Sequence, residues 1–158
     1  MSKEKDLNSI RDKIDSLDER ILSLLNQRAD LAIEAGEAKE ESIKYKPARE
    51  ATILNKLKDS NRGPLINDQI ISIYNEIISA CRSTESNLKV AYLGPEGTYS
   101  ESALQNKFGS SVETKPEPSI RSVFEEVKHG LCDFGIVPIE NSSEGSVNLT
   151  LDCLIDFD

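Results

Sequence analysis

Residues 6–41 read DLNSIRDKIDSLDERILSLLNQRADLAIEAGEAKEE, with apolar side chains at positions 7, 10, 14, 17, 21, 24, 31, 35 and 38. Steps of three and four place these positions on one continuous stripe of an α-helix, for which Asp6 is the predicted N-cap. No proline interrupts the stretch. At about 1.5 Å per residue the helix is roughly 50 Å long, longer than a domain of this size is wide. We therefore expect a second copy of the chain to cover the stripe.

Two shorter helices are predicted after this one. Pro47 suits the first turn of a helix over residues 48–60, and Asn61-Arg-Gly-Pro64 signals a stop and a turn. Asn67 is the predicted cap of a third helix that runs to about residue 84. The first part of the chain is therefore predicted to be all-α.

The periodicity changes after Ser86-Asn87, which we take as the boundary between domains at 1–86 and 88–158. The second domain alternates predicted strands (89–93, about 112–115, 133–139) with predicted helices (about 100–108, 119–129 with Ser119 as cap, 145–155). This alternation indicates βαβ units and a parallel sheet. About three strands are few for an open α/β domain, so we expect this part to be incomplete.

The net charge of −9 is unevenly distributed. Residues 1–86 carry 14 Lys and Arg against 16 Asp and Glu, whereas residues 87–158 carry 5 against 12. An acidic chain repels nucleic-acid phosphates, which argues against nucleic-acid binding. No apolar run approaches the roughly 18 residues that cross a bilayer, and the N-terminus lacks the apolar core of a secretory signal. We expect a cytoplasmic protein with no membrane partner.

The three cysteines, Cys81, Cys132 and Cys153, are irregularly spaced. They match neither a disulfide framework nor a metal site, and the single histidine, His129, cannot complete one. We predict buried, reduced thiols, no metal and no cofactor.

Several cations lie on or beside the apolar stripe. Arg28 occupies a heptad column that is otherwise apolar, and Arg11 and Lys39 share the neighbouring column. A buried arginine is costly unless it is paired or meets an anion. One interpretation is an internal ion pair, for example with Asp15 or Glu50. The other is a binding site for a small anion.

Helical geometry favours a site that two chains share. Arg28 and Lys39 are about 16 Å apart on one side of the helix, so both side chains can reach toward one ligand. Arg11 lies about 25 Å from Arg28 along the axis and cannot reach that ligand within its own chain. In an antiparallel dimer, Arg11 of the partner subunit would lie over this end of the helix. Arg49 and Glu50, in the second helix, would close the pocket.

The helical part resembles the all-helical chorismate mutases. The matching positions are Leu7-x-x-Ile-Arg11-x-x-Ile-Asp15-x-x-Asp18-x-x-Ile-Leu-x-Leu-Leu-x-x-Arg28-x-x-Leu-Ala-x-x-x-Gly36-x-x-Lys39, followed by Pro47-Ala-Arg49-Glu50 and Ile73-Tyr-Asn-Glu-Ile-Ile-Ser-Ala-Cys-Arg82. The match covers about residues 5–86 with polar positions at fixed intervals. It implies an intertwined dimer of three-helix chains that converts chorismate to prephenate.

The resemblance also implies roles for the cations. Arg28, together with Arg11 of the partner subunit, would hold the two carboxylates of chorismate, for which the planar guanidinium is suited. Lys39 would donate to the ether oxygen of the breaking C–O bond. Arg49 would bind or orient near a carboxylate. The rearrangement is pericyclic, so catalysis would come from holding the compact conformer and stabilising charge on the departing oxygen.

The remaining implied residues are two carboxylates and a thiol. Glu50 would accept from the substrate hydroxyl, and Glu85 would lie beside the ether oxygen, to which it can donate only when protonated. Activity is therefore predicted to fall as pH rises. Cys81 stands where other members have Ser, and Lys46 where they often have Asp; both departures concern recognition of the substrate hydroxyl.

Two segments of the second domain resemble the N-terminal signatures of prephenate dehydratase. They are Val90-Ala-Tyr-Leu-Gly-Pro-Glu-Gly-Thr98-Tyr-Ser100 and Ile136-Val-Pro-Ile-Glu140-Asn141-Ser142-x-x-Gly145-x-Val147. The resemblance implies a periplasmic-binding-protein-like lobe, with Thr98, Ser100, Glu140, Asn141 and Ser142 in or near a cleft. The family's Thr-Arg-Phe motif is absent from this sequence. We expect an incomplete dehydratase that is inactive by itself.

Two classes of function follow from these observations. One is a dimeric chorismate mutase fused to part of a dehydratase, as in the bifunctional enzymes of phenylalanine biosynthesis. The other is a non-catalytic helical dimerisation module with a ligand-binding α/β appendage. A coiled coil has no reason to place Arg28 on its seam, which favours the enzyme.

Overall fold

The structure is a computed structural model that describes residues 2–38, 45–141 and 145–157. The helices are α1 (Ser2–Glu37), α2 (Pro47–Ser60), α3 (Asn67–Glu85), α4 (Tyr99–Phe108), α5 (Ile120–Lys128) and α6 (Asn148–Asp156). The strands are β1 (Lys89–Leu93), β2 (Glu113–Glu117), β3 (Phe134–Ile136), β4 (Glu140–Asn141) and β5 (Gly145–Ser146). The predicted order of a helical part followed by strands that alternate with helices is confirmed.

The helical part follows the predicted pattern, with two corrections at helix starts. α1 begins at Ser2, so the prediction of Asp6 as its N-cap is wrong; residues 3–5 are Lys and Glu, which favour helix and do not stop it. Asn67 is the first residue of α3 and not its cap. The Asn67 side chain accepts a hydrogen bond from Asn61 Nδ2 at 2.9 Å, while Gln69 Oε1 accepts from the Ile66 backbone N–H at 3.1 Å.

The apolar stripe of α1 is uncovered in the single chain. Within the described residues α1 packs against α3 alone. Leu7, Ile14 and Ile21 are about half exposed, at 45%, 51% and 51%, and Leu31 is 65% exposed. An exposed apolar face of this length is characteristic of a surface that a partner covers.

The second part is a three-stranded parallel sheet in the order β2-β1-β3, with helices on both faces. Side chains of the central strand alternate between the two faces. Val90 and Tyr92 join the core formed with α4, whereas Ala91 packs with Val123 of α5 and Cys132. This sheet and its layers agree with the predicted parallel βαβ arrangement.

Several predicted boundaries in this part differ from the structure. β3 has three residues, not the seven of the predicted strand at 133–139, and β4 pairs with β5 in an antiparallel hairpin that was not predicted. The hairpin was missed because β4 and β5 have two residues each, too few to show an alternating pattern. The helix predicted from Gly145 begins at Asn148. Ser119 was correctly predicted as a cap, since its Oγ accepts from the Ser122 N–H at 3.1 Å.

Candidate active site

A cavity of about 400 Å³ lies among α1, α2 and α3. Its lining consists of Arg28, Leu31, Ala32, Ala35, Lys46, Arg49, Glu50, Ile53, Ile78, Cys81, Arg82 and Glu85. Five of the predicted substrate-binding residues converge there, namely Arg28, Arg49, Glu50, Cys81 and Glu85. The mix of an apolar floor and a few charged groups suits a small polar ligand.

One further predicted residue, Arg11, is not among this lining. Arg11 lies nearly five turns before Arg28 on the same helix, and its Nη1 is 3.5 Å from Asn8 Oδ1 on the exposed surface. Lys39 lies outside the described residues. The cavity within one chain therefore presents Arg28 without Arg11.

Arg28 is half-buried on the cavity wall. Among the described residues it forms an ion pair with neither Asp15 nor Glu50, the two internal partners considered from the sequence. Glu50 instead pairs with Arg82, whose Nη1 lies 2.6 Å from Glu50 Oε1. Neither of the internal ion pairs considered for Arg28 is therefore present within the described residues.

Arg82 is the last residue of the segment 73–82 that resembles the chorismate mutases, but it was not predicted to line the site. It is 6% exposed and donates to Glu50 and to the backbone carbonyl of Phe108. Its guanidinium lies over the Tyr45 ring, 5.1 Å from the centroid. One signal was available in the sequence: Arg82 precedes Glu85 by three residues, so both project from the same side of α3.

Tyr45 joins the cavity wall to the core of the second part. Its ring packs against Phe108 and Phe134 with centroids 5.4 and 5.2 Å apart. The hydroxyl is buried and has no hydrogen-bond partner within the described part of the chain. Burial raises the pKa of Tyr45, the nearby Glu50 carboxylate raises it further, and Arg82 opposes that shift.

The predicted dehydratase residues lie near one edge of the parallel sheet. Thr98 is the N-cap residue of α4, and its Oγ1 is 3.4 Å from Leu93 O at the end of β1; Ser100 is the second residue of α4. Glu140 and Asn141 form β4, shortly after β3. Because β1 and β3 are parallel neighbours, the segments that follow them start from the same edge. Ser142 lies outside the described residues.

A second cavity lies at this carboxyl edge, with a volume of about 600 Å³. It is lined by Gly94, Pro95, Glu96, Pro116, Glu117 and Pro118, which follow or end β1 and β2. Thr98, Ser100 and Glu140 are not among its lining residues.

The structure also bears on metals, thiols and membranes. Cys81, Cys132 and Cys153 are buried free thiols, as predicted. No group of three or more His, Cys, Asp or Glu side chains is arranged to hold a metal ion in the ranges 2–38, 45–141 and 145–157. None of the helices described there is long and apolar enough to cross a membrane.

Comparison with known families divides the chain into the same helical part and second part. Residues 10–86 match the family model for chorismate mutase type II, and residues 90–158 match the model for prephenate dehydratase. The two parts of the chain thus match the chorismate mutase and prephenate dehydratase families, in that order. The resemblance drawn from the sequence motifs is thereby confirmed for both parts of the chain.

Curated relatives carry the same combination of names. Bifunctional chorismate mutase/prephenate dehydratase from Stutzerimonas stutzeri is 46% identical, and the protein of that name from Pseudomonas aeruginosa is 42% identical; each match covers 100% of this chain and 45% of the relative. The protein of that name from Escherichia coli K12 is 30% identical over 98% of this chain and 45% of the relative. The chain thus spans less than half the length of these relatives.

Proposed function

We propose that the helical part of this chain catalyses the rearrangement of chorismate to prephenate. One observation carries the proposal: Arg28, Arg49, Glu50, Cys81 and Glu85 converge on one cavity of about 400 Å³. These residues come from three helices and from distant positions in the sequence. A structural helical bundle has no need for two arginines and two carboxylates around an open cavity.

The chemistry assigns a role to each group. Chorismate is a dianion, so Arg28 and Arg49 supply fixed positive charge, and Arg28 binds one carboxylate through its planar fork. Glu50 accepts from the substrate hydroxyl. Lys39 donates to the ether oxygen, where negative charge develops as the C–O bond breaks, and Glu85 lies beside that oxygen. The reaction needs no nucleophile, because the protein accelerates it by holding the compact conformer.

The second carboxylate would be bound by Arg11 of the partner subunit in an intertwined homodimer. Support comes from the half-exposed stripe of α1, which includes Leu7, Ile14 and Ile21. Covering it with a second copy removes a large apolar surface from water, at about 25 cal/mol per Å². The same antiparallel pairing carries Arg11 of one chain to the cavity of the other.

The second part is proposed to be a portion of a prephenate dehydratase with a periplasmic-binding-protein-like lobe. Thr98, Ser100, Glu140, Asn141 and Ser142 would contribute to its cleft, and a helix N-terminus at α4 would suit a substrate carboxylate. This portion alone would not convert prephenate to phenylpyruvate. We further propose that the domains are 1–86 and 88–158 and that the protein is cytoplasmic.

Turnover and oligomeric state test the proposal together. The purified chain is mixed with chorismate, and the loss of chorismate absorbance is followed continuously while the molar mass is measured by light scattering. A dimer that consumes chorismate and accumulates prephenate, without phenylpyruvate, is the expected result. A folded dimer without turnover would leave the non-catalytic dimerisation module as the function. An active monomer would contradict the shared site.

A further inference from the structure

Arg82 is unusually buried for an arginine to which no substrate contact has been assigned. Its side chain is 6% exposed, and its guanidinium makes three separate interactions. One nitrogen lies 2.6 Å from Glu50 Oε1, a second donates to the carbonyl of Phe108, and the plane covers the Tyr45 ring. Three directional contacts leave the guanidinium one orientation, since the planar fork presents its donors in fixed directions.

The ion pair places Glu50 at the cavity. Glu50 is 19% exposed, so an unpaired carboxylate there would lose hydration without compensation. A carboxylate has about four acceptor positions, and the pair with Arg82 leaves others for a ligand. Without Arg82, the same carboxylate has Arg28, Arg49 and Lys46 around the same cavity as alternative partners.

The contact of Arg82 with the Phe108 carbonyl comes from the second part of the chain. Phe108 is the last residue of α4, and Gly109 follows it with φ of +75°. A Cβ at Gly109 would lie 2.4 Å from Ser79 Cβ of α3, so only glycine allows this approach. Next to it, Ser110 Oγ lies 2.6 Å from Glu76 Oε2. The turn after α4 is thus closely packed on α3.

We propose that Arg82 is a positioning residue of the mutase cavity, and that the Phe108 carbonyl of the dehydratase part holds Arg82 in place. Arg82 orients Glu50 toward the ligand and keeps this carboxylate away from the cations that bind the substrate. The close packing of Gly109 on α3 is then a requirement for mutase activity, although Gly109 does not line the mutase cavity. This inference rests on the proposed mutase function.

A double-mutant cycle separates positioning from simple structural support. In Arg82→Met the released Glu50 carboxylate competes for Arg28 and Arg49, so KM for chorismate rises about 10- to 100-fold, with a smaller change in kcat. Glu50→Gln alone raises KM about tenfold. The double variant Glu50→Gln/Arg82→Met lacks the competing carboxylate, so its KM is no higher than that of Glu50→Gln. Additive losses would overturn the positioning role.

Two further variants complete this experiment. Arg62→Met is the matched control, because Arg62 is exposed in the turn after α2 and donates to the backbone carbonyls of Asp59 and Asn61. The KM of this variant stays unchanged. Arg82→Lys keeps the charge but loses the fork, so its KM lies between those of wild type and Arg82→Met.

The role of the Phe108 carbonyl is tested by substitutions at two glycines of similar backbone conformation. Gly109→Ala forces the turn away from Ser79 and moves the Phe108 carbonyl, so KM for chorismate rises at least about threefold. Gly130 has φ of +69° and nothing within 4 Å of an added Cβ, so Gly130→Ala carries the same backbone strain without displacing a contact. Its KM equals that of wild type.

The outcomes distinguish this inference from the function on which it rests. An inactive, folded wild-type dimer rejects the mutase function before any variant is compared. An active wild type whose KM does not change in Arg82→Met and Gly109→Ala overturns the inference alone. Failure of Arg82→Met, Arg82→Lys and Gly109→Ala to fold, judged by circular dichroism, would overturn it too, because Arg82 would then be structural only.

Discussion

The Glu85 carboxylate lies directly against the backbone of α1 at Gly36. A Cβ at Gly36 would lie 3.1 Å from Glu85 Oε2 and 3.2 Å from Glu85 Cγ. The ends of α1 and α3 therefore approach each other at a carboxylate that lines the cavity. The absence of a side chain at Gly36 therefore allows the Glu85 carboxylate to lie where it does. An added methyl group would push this carboxylate aside.

Gly36→Ala is expected to separate stability from activity. Alanine stabilises a helix by about 0.5–1 kcal/mol relative to glycine, while the new methyl group displaces the Glu85 carboxylate. We expect equal or higher free energy of unfolding, together with a loss in kcat/KM of about three- to tenfold. Urea unfolding at fixed protein concentration and chorismate kinetics measure the two effects.

The control for this substitution is Gly63→Ala in the turn between α2 and α3. The nearest atom to a Cβ at Gly63 is Asn61 Oδ1 at 3.8 Å, an ordinary contact distance. Its kinetics should match those of wild type. A Gly36→Ala variant with lower stability and full activity would contradict the orienting role of the contact.

Glu85→Gln tests whether a neutral donor serves beside the ether oxygen. A carboxylate cannot donate to that oxygen, whereas the glutamine amide can, so kcat/KM for chorismate is expected to equal or exceed that of wild type. Chorismate kinetics provide the measurement. A large loss in kcat/KM would remove the donor role from this position.

Mixing two inactive variants tests whether two chains build each site. Arg28→Ala and Arg11→Ala are each expected to lose about 100- to 1000-fold in kcat/KM while remaining dimeric. Refolding them together in equal amounts gives half heterodimers, each with one intact site, so activity should return to about a quarter of wild type. No recovery, with heterodimers verified by mass spectrometry, would mean that Arg11 and Arg28 act within one chain.

Tyr45→Phe is expected to stabilise the protein. The Tyr45 hydroxyl is buried and, among the described residues, has no hydrogen bond of normal geometry, although the Glu50 carboxylate lies near enough to raise its pKa. Its removal therefore relieves a desolvation cost of about 1 kcal/mol. Thermal unfolding near neutral pH measures this gain. Tyr99→Phe is the matched control, since Tyr99 is 96% exposed and the change should leave the melting temperature unaltered. A destabilised Tyr45→Phe would mean that the hydroxyl is satisfied.

The raised pKa of Tyr45 adds an alkaline test. The folded state holds the phenol proton more tightly than the unfolded state, which releases it near pH 10. The preference of the folded state for the phenol proton therefore stabilises the protein fully below about pH 10. That contribution to the free energy of unfolding is lost as pH rises through the folded pKa. Tyr45→Phe should reduce the alkaline decline in the free energy of unfolding. An identical decline in both proteins would exclude Tyr45 as its source.

Much of the fold could be predicted from the spacing of apolar residues and from residues that start or stop helices. The stripe of α1, Pro47 at the start of α2 and the limits of β1 were predicted, because each depends on neighbours in the sequence. The hairpin of β4 and β5 was not, since strands of two residues carry no period. Asn67 was misjudged as a cap because its side chain accepts from Asn61, six positions earlier.

The candidate site was predicted less completely than the fold. Arg28, Arg49, Glu50, Cys81 and Glu85 were implied by the resemblance to the all-helical chorismate mutases, and they line one cavity. The spacing of Arg82 from Glu85 indicates its side of α3, but its partners were not predictable, because they lie 32 residues before it and 26 residues after it. No local pattern encodes such a contact.

The sequence by itself determined which helices form, which cations they carry and which families its two parts resemble, because these depend on side-chain type and spacing. The tertiary structure alone decided that Glu50 pairs with Arg82 and not with Arg28, and that Phe108 holds Arg82. The physical reason is that a buried charge takes the partners that packing brings within reach, and packing joins residues far apart in the chain.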